Sequence, residues 1–230
     1  MSVAVLVPWR AGCPHREAAW RYVSARLAAL GHPIHVGELD PDAPWCKADA
    51  VRRALDQTDA TTVVLHDADV DVDHAAITEC IDAVEARRAT WAIPHRYVHR
   101  LEPDETEALY GGAEPFLKQS RRYTGQPCGG VLVVERATYD AIPLDPRFVG
   151  WGGEDLALEQ AYLTLRGQPL RLAADLIHLW HPGGGRQRQR VPAEAAALYQ
   201  RYLQAARATD PRLMWQIVEE VTPCSTSPRS

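Results

Sequence analysis

The sequence lacks the features of a cysteine-built scaffold. Its five cysteines are odd in number and scattered, and no C-x-x-C pair occurs among them. A disulfide framework or a cysteine zinc site is therefore disfavoured, and a reducing compartment is expected. Glycine (15) and proline (17) are too few among 230 residues for a collagen-like or wholly disordered chain. The length suits one large domain, or a domain with a small appendage.

Long apolar runs and an excess of basic charge are missing as well. No stretch approaches the ~18–20 apolar residues that a membrane-spanning helix needs. The first apolar run ends at Pro8 and has no basic residue before it, which favours a buried strand over a signal peptide. We therefore expect a soluble, cytoplasmic protein with no membrane partner. A formal net charge of −5 argues against a dedicated nucleic-acid coat, although local basic patches are compatible with it.

Standard loops for phosphate and calcium are also absent. The sequence contains neither G-x-x-x-x-G-K-[ST] nor a G-x-G-x-x-G that follows a strand and opens a helix. Aspartates alternate after Asp67, but Val72 and Thr78 stand where an EF-hand loop needs glycine and glutamate. A nucleotide would therefore depend on a metal ion and arginines to hold its phosphates.

Apolar periodicity alternates between the strand and helix types along the chain. We predict strands at residues 3–7, 34–39, 61–65, 130–135, 170–173 and 176–180. We predict helices at residues 15–30, 47–57, 73–88, 154–166, 192–208 and 211–221. Residues 94–127 are expected to be irregular, and residues 222–230 a disordered tail. This order predicts an α/β fold with a mostly parallel central sheet flanked by helices.

The first group of candidate residues is Asp67-Ala68-Asp69, directly after the predicted strand at 61–65. Ligands of open α/β sheets collect at the carboxyl ends of strands. Two carboxylates there suit a hard divalent cation that also binds phosphate oxygens. The alternative interpretation is a polar loop that caps the following helix.

The second group is Gly150-Trp151-Gly152-Gly153-Glu154-Asp155, which opens a predicted helix. Its glycines let a ligand approach the backbone, Trp151 offers a flat face to a sugar ring, and Glu154 and Asp155 place two carboxylates together. The alternative is a tight turn whose acids only complement the helix dipole.

The third group is His178-Leu179-Trp180-His181-Pro182, followed by a glycine- and arginine-rich segment at 183–190. Because strand residues three apart face opposite sides, we expect only one histidine in a site and favour His181. The segment 183–190, which includes Arg186, suits either a lid over a phosphorylated ligand or a solvated linker.

The order of these motifs resembles that of type-A fold glycosyltransferases, chiefly family 2 and the GWGGED-containing galactosyltransferases and polypeptide N-acetylgalactosaminyltransferases. The resemblance covers roughly residues 3–182. It implies a Rossmann-like nucleotide-diphospho-sugar transferase fold in a single domain at 1–221. The expected parts are a nucleotide-binding half at 1–90, an acceptor and metal half at 91–182, and a lid with C-terminal helices at 183–221.

The resemblance also implies roles for single residues. Asp69 and His181 would bind Mn²⁺ or Mg²⁺, while Asp67 would contact the ribose or support the metal. Asp155 would be the base of an inverting reaction, and Glu154 a ligand of the acceptor or donor sugar. The residues expected at the donor are Pro8, Trp9, Arg10, Asp67, Gly129, Gly130, Trp151, Gly152, Gly153 and Arg186. Relatives often carry an asparagine in the region of residues 47–52, and its absence here leaves the contacts to the nucleotide base open.

These roles predict a metal-dependent transferase that moves a sugar from a nucleotide-diphosphate sugar, expected to be a UDP-sugar, to an acceptor hydroxyl. A glycan, a glycoconjugate or a small molecule is the expected acceptor. A hydroxylated DNA base is a minority alternative, because basic residues gather at Arg96, His99, Arg100, Lys118, Arg121 and Arg122. The rival hypotheses are a metal-dependent nucleotidyltransferase and a non-catalytic domain that binds sugar nucleotides. The oligomeric state is left open.

Overall fold

The computed structural model describes residues 2–114, 122–182 and 191–221. The predicted lid and tail, at 183–190 and 222–230, lie outside these ranges. Within them, every helix is too short or too polar to cross a lipid bilayer.

The first half of the chain alternates strands and helices as predicted. Its elements are β1 (Val3–Arg10), α1 (Pro14–Ala28), β2 (Ile34–Leu39), α2 (Lys47–Leu55), β3 (Thr62–His66), β4 (Val70–Val72) and α3 (His74–Glu85). β4 was not predicted, because three residues are too few to show strand periodicity.

The second half departs from the prediction in three places, one of which is a short helix at 136–141 that was not predicted. Its elements are β5 (Trp91–Arg100), α4 (Pro103–Tyr110), β6 (Tyr123–Thr124), β7 (Val131–Glu135), α5 (Arg136–Ala141), α6 (Glu154–Arg166), β8 (Leu170–His178), α7 (Ala193–Arg207) and α8 (Pro211–Glu219). The expectation that 94–127 is irregular was wrong, since β5, α4 and β6 lie there. Pro94 lacks a donor for the ladder, and β5 accommodates it where its register with β8 shifts.

The two short strands predicted at 170–173 and 176–180 are one strand, β8. Asp175, which stands between the two predicted strands, lies within β8. Its carboxylate accepts hydrogen bonds from His99 Nε2 at 3.1 Å and Arg122 Nε at 3.0 Å. A charged residue can therefore sit inside this strand without interrupting it.

The described strands form one eight-stranded sheet in the order β2-β1-β3-β7-β5-β8-β4, with β6 paired to β5. The pairs β1–β2, β1–β3 and β5–β8 are parallel. β7 runs antiparallel to both β3 and β5, and β4 runs antiparallel to β8. The α/β fold class is confirmed, with a mixed sheet in which β1, β2, β3, β5 and β8 share one direction.

Helices pack on both faces of this sheet. Alternate residues of β3 divide between two apolar clusters: Val63 and Leu65 face α2, α6, α7 and α8, while Val64 faces α1 and α3. Both faces are buried because each is covered by helices, which explains the continuous apolar run of β3.

Close packing of α2 on β2 depends on Gly37. A Cβ atom added to Gly37 would lie 1.7 Å from the carbonyl oxygen of Ala50 in α2. This contact fixes the distance of α2 from the sheet, and with it the position of Lys47 at the first turn of α2.

We expect Gly37→Ala to lower the free energy of unfolding by about 3 kcal/mol, because α2 must move away from β2. The matched control is Gly31→Ala, where the backbone has a φ of +74° but an added Cβ meets no atom within 4 Å. Its cost should be about 1 kcal/mol, from backbone strain alone. Urea unfolding of both variants measures the difference, and equal losses would contradict the packing argument.

Candidate active site

A cleft of about 640 Å³ opens along the carboxyl ends of β1, β3 and β8 and the first turn of α6. It is lined by every described residue to which the family resemblance assigns a donor, metal or acceptor role. These are Pro8, Trp9, Arg10, Asp67, Asp69, Gly129, Gly130, Trp151, Gly152, Gly153, Glu154, Asp155 and His181. Arg186 lies outside the described residues. The cleft also contains residues that sequence reasoning did not select, chiefly Arg16, Trp45, Lys47 and His178.

Asp69, His178 and His181 form a compact cluster of metal-ligating groups. One ligand atom from each lies within 4.8 Å of the others, and His181 Nε2 is 3.1 Å from Asp69 Oδ2. Backbone pairing brings them together, since Val70 of β4 pairs with His178 of β8 and the Leu179 N–H donates to the Asp69 carbonyl at 2.9 Å.

The expectation that only one histidine would face the site was wrong. β8 ends at His178, so the alternation of side chains along a strand does not extend to His181. Both imidazoles reach Asp69, and their ring centroids are 5.3 Å apart.

The hydrogen bonds of the histidines fit a cation at this cluster. His178 Nδ1 lies 2.9 Å from the Leu179 carbonyl, and His181 Nδ1 lies 3.1 Å from the Pro182 carbonyl. A carbonyl only accepts, so Nδ1 donates in each ring, and a neutral ring bonded in this way has its Nε2 lone pair free for a ligand. The Nε2 atom of His181 faces the Asp69 carboxylate at 3.1 Å, and a metal ion between them would bind to both.

The electrostatics of the cluster also suit a divalent ion. Burial alone would raise the pKa of Asp69, but His178, His181 and Arg16 hold it well below its usual range. Burial lowers the pKa of His178 to about 4. Near neutral pH the cluster thus offers a carboxylate and the neutral imidazole that metal binding requires.

A second group of charges links Asp67 and Asp155 through Lys47. The Lys47 ammonium lies 2.9 Å from Asp67 Oδ1 and 2.9 Å from Asp155 Oδ1. Asp67 Oδ2 also accepts from the Gly130 N–H at 3.2 Å. A cation in the first turn of a helix opposes the helix dipole, and this was the sequence signal that could have identified Lys47.

Asp155 has the environment of a base that works near neutral pH. Burial raises the pKa of Asp155 to about 7, and Glu154 and Asp67 act in the same direction while Lys47 opposes them. The neighbouring Glu154 is buried, and within the described residues its Oε2 atom has no hydrogen-bond partner. These two carboxylates can therefore serve a ligand in the cleft.

Aromatic and arginine side chains stack beside the metal cluster. The rings of Trp45 and Trp151 are 5.7 Å apart and nearly parallel, and the Arg16 guanidinium lies 4.3 Å from the Trp151 ring centroid. Arg16 Nε is also 3.9 Å from Asp69 Oδ2. Trp151 keeps 37% of its surface exposed, so part of its face is open to a ligand.

No protein-family model matches the chain, and no curated protein matches its sequence. Solved structures do match its fold. Glucosyl-3-phosphoglycerate synthase from Mycobacterium tuberculosis, in complex with Mn²⁺, UDP and glucosyl-3-phosphoglycerate, has a TM-score of 0.50 and 15% identity. The match covers 89% of this chain and 79% of that one.

A second similar structure is mannosyl-3-phosphoglycerate synthase from Rubrobacter xylanophilus. It has a TM-score of 0.50 and 14% identity over 98% of this chain and 77% of the other. Likeness at this level of identity establishes the fold and leaves the activity to be argued from the site. The chain has the Rossmann-like fold of the type-A glycosyltransferases.

Proposed function

We propose that this protein is a metal-dependent glycosyltransferase that moves a sugar from a nucleotide-diphosphate sugar to an acceptor hydroxyl with inversion. The observation that carries the proposal is the convergence of two groups in one cleft of this fold. Asp69, His178 and His181 form a metal-ligating cluster, and Asp155 is a carboxylate with a raised pKa.

On the donor side, Asp69, His178 and His181 would hold the divalent cation. When bound, the cation would neutralise negative charge that develops on the departing diphosphate. Two imidazoles with one carboxylate favour Mn²⁺ over Mg²⁺, which prefers oxygen ligands. Pro8, Trp9 and Arg10 at the end of β1 would contact the nucleotide.

On the acceptor side, Asp155 takes the proton of the attacking hydroxyl. The acceptor oxygen forms its bond to the anomeric carbon while the bond from that carbon to the phosphate oxygen breaks. The nucleoside diphosphate leaves with the electron pair, and attack from the opposite face inverts the anomeric centre. Glu154 and Trp151 would hold the acceptor or donor sugar, and Gly129, Gly130, Gly152 and Gly153 would let the donor approach the backbone.

The similar structures guide the choice of substrates. The synthase from M. tuberculosis binds UDP, which favours a UDP-sugar as the donor. Both similar enzymes are named for products on 3-phosphoglycerate, so phosphoglycerate joins glycans, small molecules and hydroxylated DNA among the acceptors to test. The single domain at 1–221 is part of the proposal, and the segment 183–190, which includes Arg186, is a lid or a linker in it.

The direct test is a panel of nucleotide sugars with Mn²⁺ and these acceptors. We expect release of a nucleoside diphosphate, with UDP-sugars the best donors. Release of pyrophosphate would select a metal-dependent nucleotidyltransferase instead. Binding of sugar nucleotides without turnover across the panel would select the non-catalytic domain.

Asp155→Asn should keep donor binding and slow transfer by roughly 10²- to 10⁴-fold, since it removes the base. In the wild type, transfer should rise with pH through about 7, because Asp155 must lose its proton before it can accept another. The variant should lack this rise. Asp82→Asn, an exposed site on α3, is the control. If Asp155→Asn lost donor affinity as much as rate, Asp155 would be a binding residue.

Metal binding can be measured without turnover. Asp69→Asn and His178→Ala should each lose most Mn²⁺ affinity in calorimetric titration of the protein, because each removes one of three ligands. His32→Ala, on the loop before β2, should bind Mn²⁺ like the wild type. Unchanged Mn²⁺ affinity of Asp69→Asn would contradict the assignment of the cluster.

A further inference from the structure

Lys47 occupies an unusual place for a cation. It is the first residue of α2, its side chain is only 8% exposed, and its ammonium lies between two carboxylates. Burial alone would lower the pKa of Lys47, but Asp155, Asp67 and Glu154 together raise it well above its usual value. The ammonium therefore stays charged, and burying this charge would be costly without its two partners.

The two partners of Lys47 lie on different sides of the proposed site, Asp67 on the donor side and Asp155 on the acceptor side. Asp67 follows β3 in the nucleotide-binding half, whereas Asp155 lies in the first turn of α6. Asp67 has a second support, because its other oxygen accepts from the Gly130 N–H. For Asp155, the bond from Lys47 is the only hydrogen bond that the described part of the chain gives to its carboxylate.

Without Lys47, the charged groups that shift the pKa of Asp155 would all be negative. Glu154 and Asp67 both raise its pKa, and Lys47 is the group that opposes them. The carboxylate would turn away from Asp67 or take up a proton. In the first case the base is displaced, and in the second it can no longer accept the acceptor proton. The orientation of Asp155 thus depends on one ammonium group carried by another element.

We propose that Lys47 is a positioning residue, which holds the Asp155 carboxylate where it can accept the acceptor proton and ties it to Asp67 in the donor half. This inference rests on the proposed transferase function. Lys47 keeps its own proton throughout the reaction, and only Asp155 gains one. The close packing of α2 at Gly37 sets how far the ammonium can reach.

The test compares Lys47→Met, Lys47→Arg, Asp155→Asn and the double variant Lys47→Met/Asp155→Asn. Lys47→Met should lower kcat by about 100-fold, as expected for a displaced catalytic group. UDP affinity in calorimetry should change little, because Gly130 still holds Asp67. Lys47→Arg keeps a charged donor and should recover much of kcat.

The double variant separates positioning from general damage to the fold. If Lys47 acts through Asp155, the double variant should transfer sugar no more slowly than Asp155→Asn alone. Arg52→Met removes an exposed cation from the same helix and should leave kcat unchanged. Circular dichroism checks folding, and if Lys47→Met does not fold, Lys47→Gln takes its place in the same cycle.

Three results would overturn the inference while leaving the transferase in place. The first is an equal loss of kcat from Lys47→Met in the wild-type and Asp155→Asn backgrounds. The second is a loss confined to UDP affinity, which would make Lys47 a donor ligand. The third is a Lys47→Met enzyme as fast as the wild type. A wild-type protein that releases no nucleoside diphosphate from any donor would instead overturn the transferase function, and the role of Lys47 with it.

Discussion

The short antiparallel pairing of β4 with β8 is the constraint on which the cleft depends. Only three residue pairs form this ladder, from Val70 with His178 to Val72 with Leu176. The ladder and the adjoining bond from Leu179 to Asp69 join stretches of chain that are more than 100 residues apart. His178 ends β8 and His181 lies three residues further along, so the pairing of β8 with β4 places both histidines beside Asp69. The metal-ligating cluster therefore depends on this pairing at the edge of the sheet.

Charge balance is the second constraint. Asp67, Asp69, Glu154 and Asp155 all line one cleft, and so many carboxylates would repel each other. Lys47 offsets the charge of Asp67 and Asp155, while Arg16 lies beside Asp69. A divalent cation at Asp69 would complete the balance. Two of the four acids are therefore paired with a lysine, Asp69 is placed to bind a metal, and Glu154 is left to a ligand in the cleft.

The sequence predicted the parts of the site that depend on short motifs. Asp69, Glu154 and Asp155 stand in short motifs whose chemistry can be inferred from neighbouring residues. The strand before Asp69 is strongly apolar, and Glu154 and Asp155 begin a helix after three closely spaced glycines. His178 was assigned to the wrong face because the end of β8 could not be placed to within a residue. Lys47 and Trp45 were missed because their partners are distant in sequence, and only the folded chain brings them together. β5 was not predicted because Pro94, His95 and His99 interrupt the apolar pattern by which a strand is recognised.

The two histidines of the proposed metal site are oriented by backbone carbonyls and not by side chains. His178 and His181 each direct Nδ1 at the carbonyl of the following residue, which every amino acid supplies. Point mutations in the surroundings can thus alter burial or charge without removing the groups that select the imidazole tautomer. These hydrogen bonds tolerate many changes of sequence as long as the backbone keeps its conformation. A metal site whose histidines are oriented by the backbone can therefore be kept by proteins that share few identical residues. The side chains that determine which acceptor binds can differ between such proteins.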